Sequence, residues 1–250
     1  MKKILILSLA ALAVPELLAI QGTVTTESES FSGDVKWHAR DKKYVVEKGK
    51  ITKEFKLSDV ADVEVAKPAG FDKAVQMVSG GQGSAAIPVL AKIVSEYRMM
   101  KWDKLAGRYL ALAHLASGNA QKAYEACQPI VSEDKSAAYT GDLASAYWQA
   151  LLKLGKTEQL EGLLKKAAAS GDRPVSAAAL VMRGEIIVAA SNDNPQELRR
   201  ALTDGFLRVV LMYQDAACAR ERAEACLKAA QCFEKLGQTA RAEQLRAQAK

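Results

Sequence analysis

The chain has 250 residues, with 35 Lys and Arg against 29 Asp and Glu, for a net charge of +6. A charge this mild permits contact with anionic surfaces without demanding it. With two histidines, four cysteines and no CxxC pair, and with neither His38 nor His114 at ligand spacing from a cysteine or a second histidine, no metal centre is expected.

Met1-Lys2-Lys3 precedes an eleven-residue apolar stretch, Ile4 to Val14, then Pro15 and Leu17-Leu18-Ala19. A charged start, a short apolar run and a small-residue cut describe a cleaved secretory signal over residues 1–19. Spanning a bilayer core takes roughly 20 apolar residues, so a permanent transmembrane anchor is not expected. No cysteine follows closely enough for a lipid anchor. Loss of Lys2, Lys3 and Glu16 takes the charge from +6 to +5, and the remaining length suffices for one extended helical array plus a small extra module. The expected location is periplasmic or secreted.

Residues 20–32 are expected to be a flexible N-terminal segment, and residues 33–67 a small β module. In the module Val35/Trp37, Tyr44/Val46 and Ile51/Lys53/Phe55 follow the period of two that turns one face to a core. Arg40-Asp41 and Lys48-Gly49-Lys50 mark turns. Leu57 to Ala61 reads as a single helical turn before a last strand, Val63 to Val65. This order resembles small SH3-like or Sm-like barrels.

Pro68 opens a helical region that runs to residue 250. Ala86, Ile87, Leu90, Ile93, Val94 and Tyr97 recur at three- and four-residue steps on one helix face. Gly81, Gly118 and Gly155 lie 37 residues apart and the next interval falls on Asn192, a period that means stacked helical units sharing one apolar spine. Gly118-Asn119, Gly155-Lys156-Thr157 and Gly237-Gln238-Thr239 each end one helix and offer a side-chain cap to the next. Asn194-Pro195-Gln196-Glu197 adds proline at the first helical position and a capping-box glutamate. Five hairpins are predicted, near 69–97, 102–132, 138–169, 175–213 and 216–249.

Three hairpins place a small residue midway along the first helix, glycine at the turn and alanine five residues later: Ala74, Gly81, Ala86; Ala111, Gly118, Ala123; and Ala230, Gly237, Ala242. This pattern resembles tetratricopeptide repeats, because neighbouring helices approach closely only where side chains are small. Trp148 and Leu160 depart from it in the third hairpin and Glu185 in the fourth, and 37 exceeds the usual 34. The resemblance implies a solenoid of about five hairpins. Its first helices would line a surface for a protein or peptide partner, through Arg108, Gln149, Lys153, Arg183, Lys228 and Gln231. Trp102, Tyr147, Trp148 and Phe206 read as packing between hairpins.

No catalytic constellation and no cofactor motif stands out. Ser79-Gly80-Gly81-Gln82-Gly83 lacks the Lys-Ser/Thr of a phosphate loop and reads as a turn, and His114 reads as packed against its neighbours. Cys218, Cys226 and Cys232 share a presumed helix at separations too long for a disulfide, and Cys127 reads as a buried thiol. Between Lys36 and Lys56 eight basic residues outnumber three acidic ones. In an exported chain this points to an anionic polymer, lipid headgroups or an acidic protein before nucleic acid. The expected protein is thus mainly α, a helical-hairpin solenoid behind a small antiparallel β module. Its expected role is that of a non-enzymatic exported scaffold for an envelope protein; the alternative is an adaptor for an anionic polymer or membrane surface acting through Lys42, Lys43, Lys48 and Lys50.

Overall fold

The computed structural model describes residues 20–249; the signal assigned to residues 1–19 lies outside the described residues. These residues form two compact units that meet between Ala66 and Lys67. The first unit is one antiparallel sheet of order β4-β3-β2-β1-β5, built from β1 (Ile20–Thr26), β2 (Ser30–His38), β3 (Lys43–Lys48), β4 (Ile51–Lys56) and β5 (Val60–Val65). A 3-10 turn, Leu57–Asp59, joins the last two strands.

Residues 20–32, expected to be flexible, form β1 and the start of β2. Ile20 faces Val35 across the ladder and Val24 lies between Phe31 and Val63, so two apolar side chains suffice to bury one face. The polar residues between them pair across the strands: the hydroxyls of Thr23 and Ser32 lie 2.8 Å apart and those of Thr25 and Ser30 3.0 Å apart. Such cross-strand pairs are a source of sheet stability, and they hide a strand inside a polar segment. Ile51, expected on the core face with Phe55, is instead 57% exposed. It opens edge strand β4 opposite Lys48, beyond the reach of the core that covers Phe55 and Tyr44.

The second unit is helical. Its elements are α1 (Phe71–Ser79), α2 (Gly83–Glu96), α3 (Trp102–Ala116), α4 (Ala120–Glu133), α5 (Gly141–Lys153), α6 (Thr157–Ala168), α7 (Arg173–Ala190), α8 (Pro195–Ala201), α9 (Leu207–Met212), α10 (Ala219–Lys235) and α11 (Thr239–Gln248). A π turn, Leu202–Phe206, makes α8 and α9 one continuous rod. Helices pair as α1/α2, α3/α4, α5/α6, α7/α8–α9 and α10/α11. Each first helix also packs on the first helix of the next pair, α1 on α3, α3 on α5, α5 on α7 and α7 on α10.

The turns explain the 37-residue spacing. Gly81, Gly118, Gly155 and Gly237 adopt φ between 67° and 78°, and Asn192 adopts 47°. This left-handed conformation ends a helix, and asparagine tolerates it better than other side chains do. Asn119 accepts a cap bond from the Lys122 amide at 3.0 Å, and Asn194 from that of Gln196 at 2.8 Å. Asp172, not anticipated, caps α7 through the Val175 amide at 3.1 Å. Two expected caps do not form. Thr157 and Thr239 already lie inside α6 and α11, which leaves Lys156 and Gln238 at the cap positions with no side-chain bond. Glu197 turns from Asn194 to Arg200, at 3.1 Å.

The apolar spine is not continuous. One buried cluster runs from Phe71 through Trp148 to Val175, Ala179 and Met182, and a second from Ala177, Val181 and Ile187 to Leu245. Helix α7 supplies both because it is apolar nearly all round, so its two faces close two cores. Trp148, which departs from the repeat pattern, is buried and donates its indole N–H to the Ala138 carbonyl at 2.8 Å. The extra 3-10 turn Lys135–Ala138 before α5 provides that acceptor.

Candidate functional site

Helices α5, α7 and α10 are each separated from the next by one returning segment, so all three run the same way and present their C-terminal halves side by side. Those halves, with the end of α3, enclose a groove of about 440 Å³. Gln149 and Lys153 reach it from α5, Glu185, Val188 and Ala189 from α7, and Lys228, Gln231 and Lys235 from α10. Leu115, Leu152, Cys232 and Phe206 supply its apolar surface.

Phe206 arrives from the other helix of its hairpin. A Cβ on Gly184 would lie 2.5 Å from the Phe206 ring, and one on Gly205 would lie 2.7 Å from the Gly184 Cα. Only a pair of glycines lets α7 and the π turn cross this closely, and the ring passes through the gap to the groove floor. The small residue of this hairpin is therefore Gly184, one position before the Glu185 that breaks the repeat pattern.

The polar groups of the groove are arranged along its length. Lys228 pairs with Glu185, and Lys235 with Asp193 at 2.5 Å. Burial, and next the charge of Glu185, raise the Glu224 carboxyl above its ordinary pKa. Glu224 precedes Lys235 by eleven residues, roughly 16 Å along α10. In the groove Lys228, midway along α10, is thus paired with Glu185, while Lys153 and Lys235 lie in the last turns of α5 and α10.

Four of the six side chains expected to bind a partner, Gln149, Lys153, Lys228 and Gln231, come together here. Arg108 does not: it lies seven residues before Leu115, about 10 Å up α3. Its guanidinium pairs with Asp142 at 3.6 Å and covers the Tyr109 ring. Arg183 faces elsewhere too, into a cavity of about 330 Å³ with Glu161, Lys165 and Arg200. Two residues before Glu185, it is turned about 200° around the helix, which carries it to the α6–α8 side. Lys235 was open to discovery, since Lys228, Gln231 and Lys235 follow helical spacing. Phe206 was not, because its access depends on a gap between two helices.

No family model, curated protein or solved structure matches this chain. Local chemistry must therefore carry the functional reading. In the sheet, Lys36 pairs with Glu47 at 3.0 Å, Lys43 with Glu54 at 2.8 Å, and Lys53 with Glu29. Lys42 and Lys43 sit at one end of β3 and Lys48 and Lys50 at the other. Five strand steps separate them by about 17 Å, so the basic run in sequence is two separate ends in space.

Desolvation, and after it the charge of Lys122, hold the His114 pKa below its ordinary value, so its imidazole is neutral at pH 7. Cys127, Cys218, Cys226 and Cys232 are buried free thiols; burial pushes Cys127 up to about 12, far from the thiolate that nucleophilic work requires. No described helix is long and apolar enough to cross a membrane.

Proposed function

We propose that this protein is an exported, non-enzymatic scaffold in which a tetratricopeptide-like solenoid of five hairpins follows a small SH3-like or Sm-like module and holds a protein segment in the α5–α7–α10 groove. The solenoid reading is supported by the packing of each first helix on the next. The single observation that carries the docking role is the convergence of Gln149, Lys153, Lys228 and Gln231, from two helices 75 or more residues apart in sequence, on one groove with an apolar floor. A volume of about 440 Å³ falls in the range of roughly 300–1,000 Å³ that ligand cavities occupy. Lys228 is paired with Glu185 and Lys235 with Asp193, while Lys153 makes no ion pair among the described residues; charges set beside an apolar floor are available to select a partner of complementary charge. Export is supported by Lys2-Lys3 and the apolar run behind them.

A photoreactive residue placed in turn at Gln149, at Gln231 and at the exposed outer position Glu243 tests the docking role in cells. The expected result is one discrete adduct shared by the two groove positions, absent at Glu243, and lost when Val188→Arg fills the groove. Adducts of equal yield at all three positions, or none at the groove, would refute it. The same extracts test export: the mature mass should lack the residues before the cut near Ala19, and a cell-associated chain that keeps Met1–Ala19 would overturn that part of the reading.

A further inference from the structure

The face of α7 turned away from the groove carries a charge that the fold itself does not use. Helix α7 holds three charged side chains, Arg173, Arg183 and Glu185. Arg173 pairs with Asp215 at 2.9 Å and Glu185 with Lys228, whereas Arg183 makes no ion pair among the described residues. It lies ten residues into the helix and seven from its end, outside the terminal turns where the helix dipole rewards a charge. Arg183 opens instead on the cavity of about 330 Å³ walled by α6, α7 and α8. Leu164, Leu180, Ile186 and Ile187 make its walls apolar, and Leu180 and Ile186 are only half-buried. Lys165, also without an ion pair among the described residues, lines the same cavity. So does Arg200, which Glu197 and Asp204 already engage. Glu161 is the one carboxylate among the lining residues, and it pairs with none of these cations.

We propose that this cavity binds a small amphipathic anion, an apolar chain or ring ending in a single carboxylate. The apolar part covers Leu180 and Ile186, whose exposed surface gains by leaving water. The carboxylate pairs with Arg183, whose planar fork of donors suits it, and with Lys165. Both parts are required. An inorganic anion leaves the apolar walls wet, and a cationic amphiphile is repelled by Arg183 and Lys165. A volume of about 330 Å³ stands at the lower end of the roughly 300–1,000 Å³ of ligand cavities, which fits one small molecule. The competing explanation is plain solvation: Lys165 lies in the last turn of α6, where a cation offsets the dipole, and Arg183 would face water alone. The site occupies the other side of α7 from the docking groove and does not depend on that reading.

Octanoate is the probe, titrated into the full chain and followed by methyl NMR. Saturable shifts are expected at the Leu180 and Ile186 methyls and not at Leu115 or Leu152, with a Kd on the order of 1 mM. Octylammonium, the same chain with the opposite charge, should bind roughly tenfold more weakly, and acetate should give no saturable shift. The Arg183→Gln/Lys165→Gln variant should bind octanoate roughly three- to tenfold more weakly. Glu161→Gln removes the opposing charge and should tighten binding by up to about threefold. All three side chains are exposed, so the variants keep the fold.

Equal binding of octanoate and octylammonium, an unchanged affinity in the double variant, shifts centred on Leu115 and Leu152, or no saturable shift by about 10 mM would overturn the proposal. So would Arg183-dependent flotation with phosphatidylcholine vesicles containing phosphatidylglycerol while octanoate leaves the methyls unshifted, since the partner would then be a membrane surface. Photo-crosslinking at the groove is indifferent to each of these results, so the docking role and this site stand or fall separately.

Discussion

Replacing Gly184 by alanine probes the crossing on which the groove floor depends. In a helix interior the substitution gains up to about 1 kcal/mol of intrinsic propensity. Here the new Cβ would meet three atoms of the Phe206 ring at 2.5, 2.7 and 2.9 Å, and the ring, 1% exposed, would have to shift to make room. Overpacking of a filled core costs about 1–3 kcal/mol, so the net effect is a loss of up to about 2 kcal/mol. Gly162 provides the control. It lies within α6 with nothing within 4 Å of its hypothetical Cβ, so Gly162→Ala should stabilise by about 0.5–1 kcal/mol. The difference between the two substitutions, about 1–3 kcal/mol, isolates the steric term. It should appear in urea unfolding followed by circular dichroism, and as roughly 2–12 °C between the two thermal midpoints. Adding Phe206→Leu should recover part of the loss in Gly184→Ala, since the two sites touch and their effects cannot add. Equal stabilisation by both alanine substitutions would mean that α7 and the π turn are not in contact, and the groove floor would have to be redrawn.

Asn192 holds φ at 47°, so Asn192→Val should lower stability by about 1–2 kcal/mol while Asn192→Gly leaves it nearly unchanged; equal losses would argue against a left-handed turn there. Burial alone would raise the Asp134 pKa, but Lys104 at 2.6 Å and the Ser136 donors outweigh it and hold the carboxyl below 3.8. The folded form thus favours the ionised acid, a contribution present above the unfolded pKa and lost as pH falls through the folded one. Asp134→Asn should therefore lower the thermal midpoint at pH 7, with the gap to wild type closing once pH drops below 3.8; a gap independent of pH would contradict the ion pair. All four cysteines should resist iodoacetamide in the native protein and all four should react in denaturant without reductant, as mass spectrometry can count, because each is a buried free thiol. A mass deficit of two alkyl groups would reveal a disulfide and refute this arrangement.

Much of this fold is local, and local features can be read along a chain. The four turn glycines and Asn192 announce helix ends because a left-handed residue is required there whatever surrounds it. Periodic apolar residues announce which faces are covered, and the caps at Asn119 and Asn194 depend on bonds spanning two or three residues. Strand β1 escaped because its evidence is not local. Thr23 and Thr25 look like a solvated tail until Ser32 and Ser30 lie opposite them. Ile51 misleads for the converse reason: its alternation is correct, and only the position of β4 at the sheet edge exposes it.

The groove divides in the same way. Gln149, Lys153, Lys228 and Gln231 are placed by the resemblance to tetratricopeptide repeats, and helical spacing keeps each pair on one face of its helix. Arg183 is misplaced by it, because two residues of error turn a side chain about 200° and the fourth hairpin takes its register from Gly184. The pairing of Lys228 with Glu185 and the arrival of Phe206 depend on which helices become neighbours. Sequence by itself determined the helices, their ends and their apolar faces, because those follow from bonds and sterics within a few residues. Only the tertiary structure decided where the groove lies and which charges it presents, because that depends on distances between helices, and those are set by the smallest side chains where the helices cross.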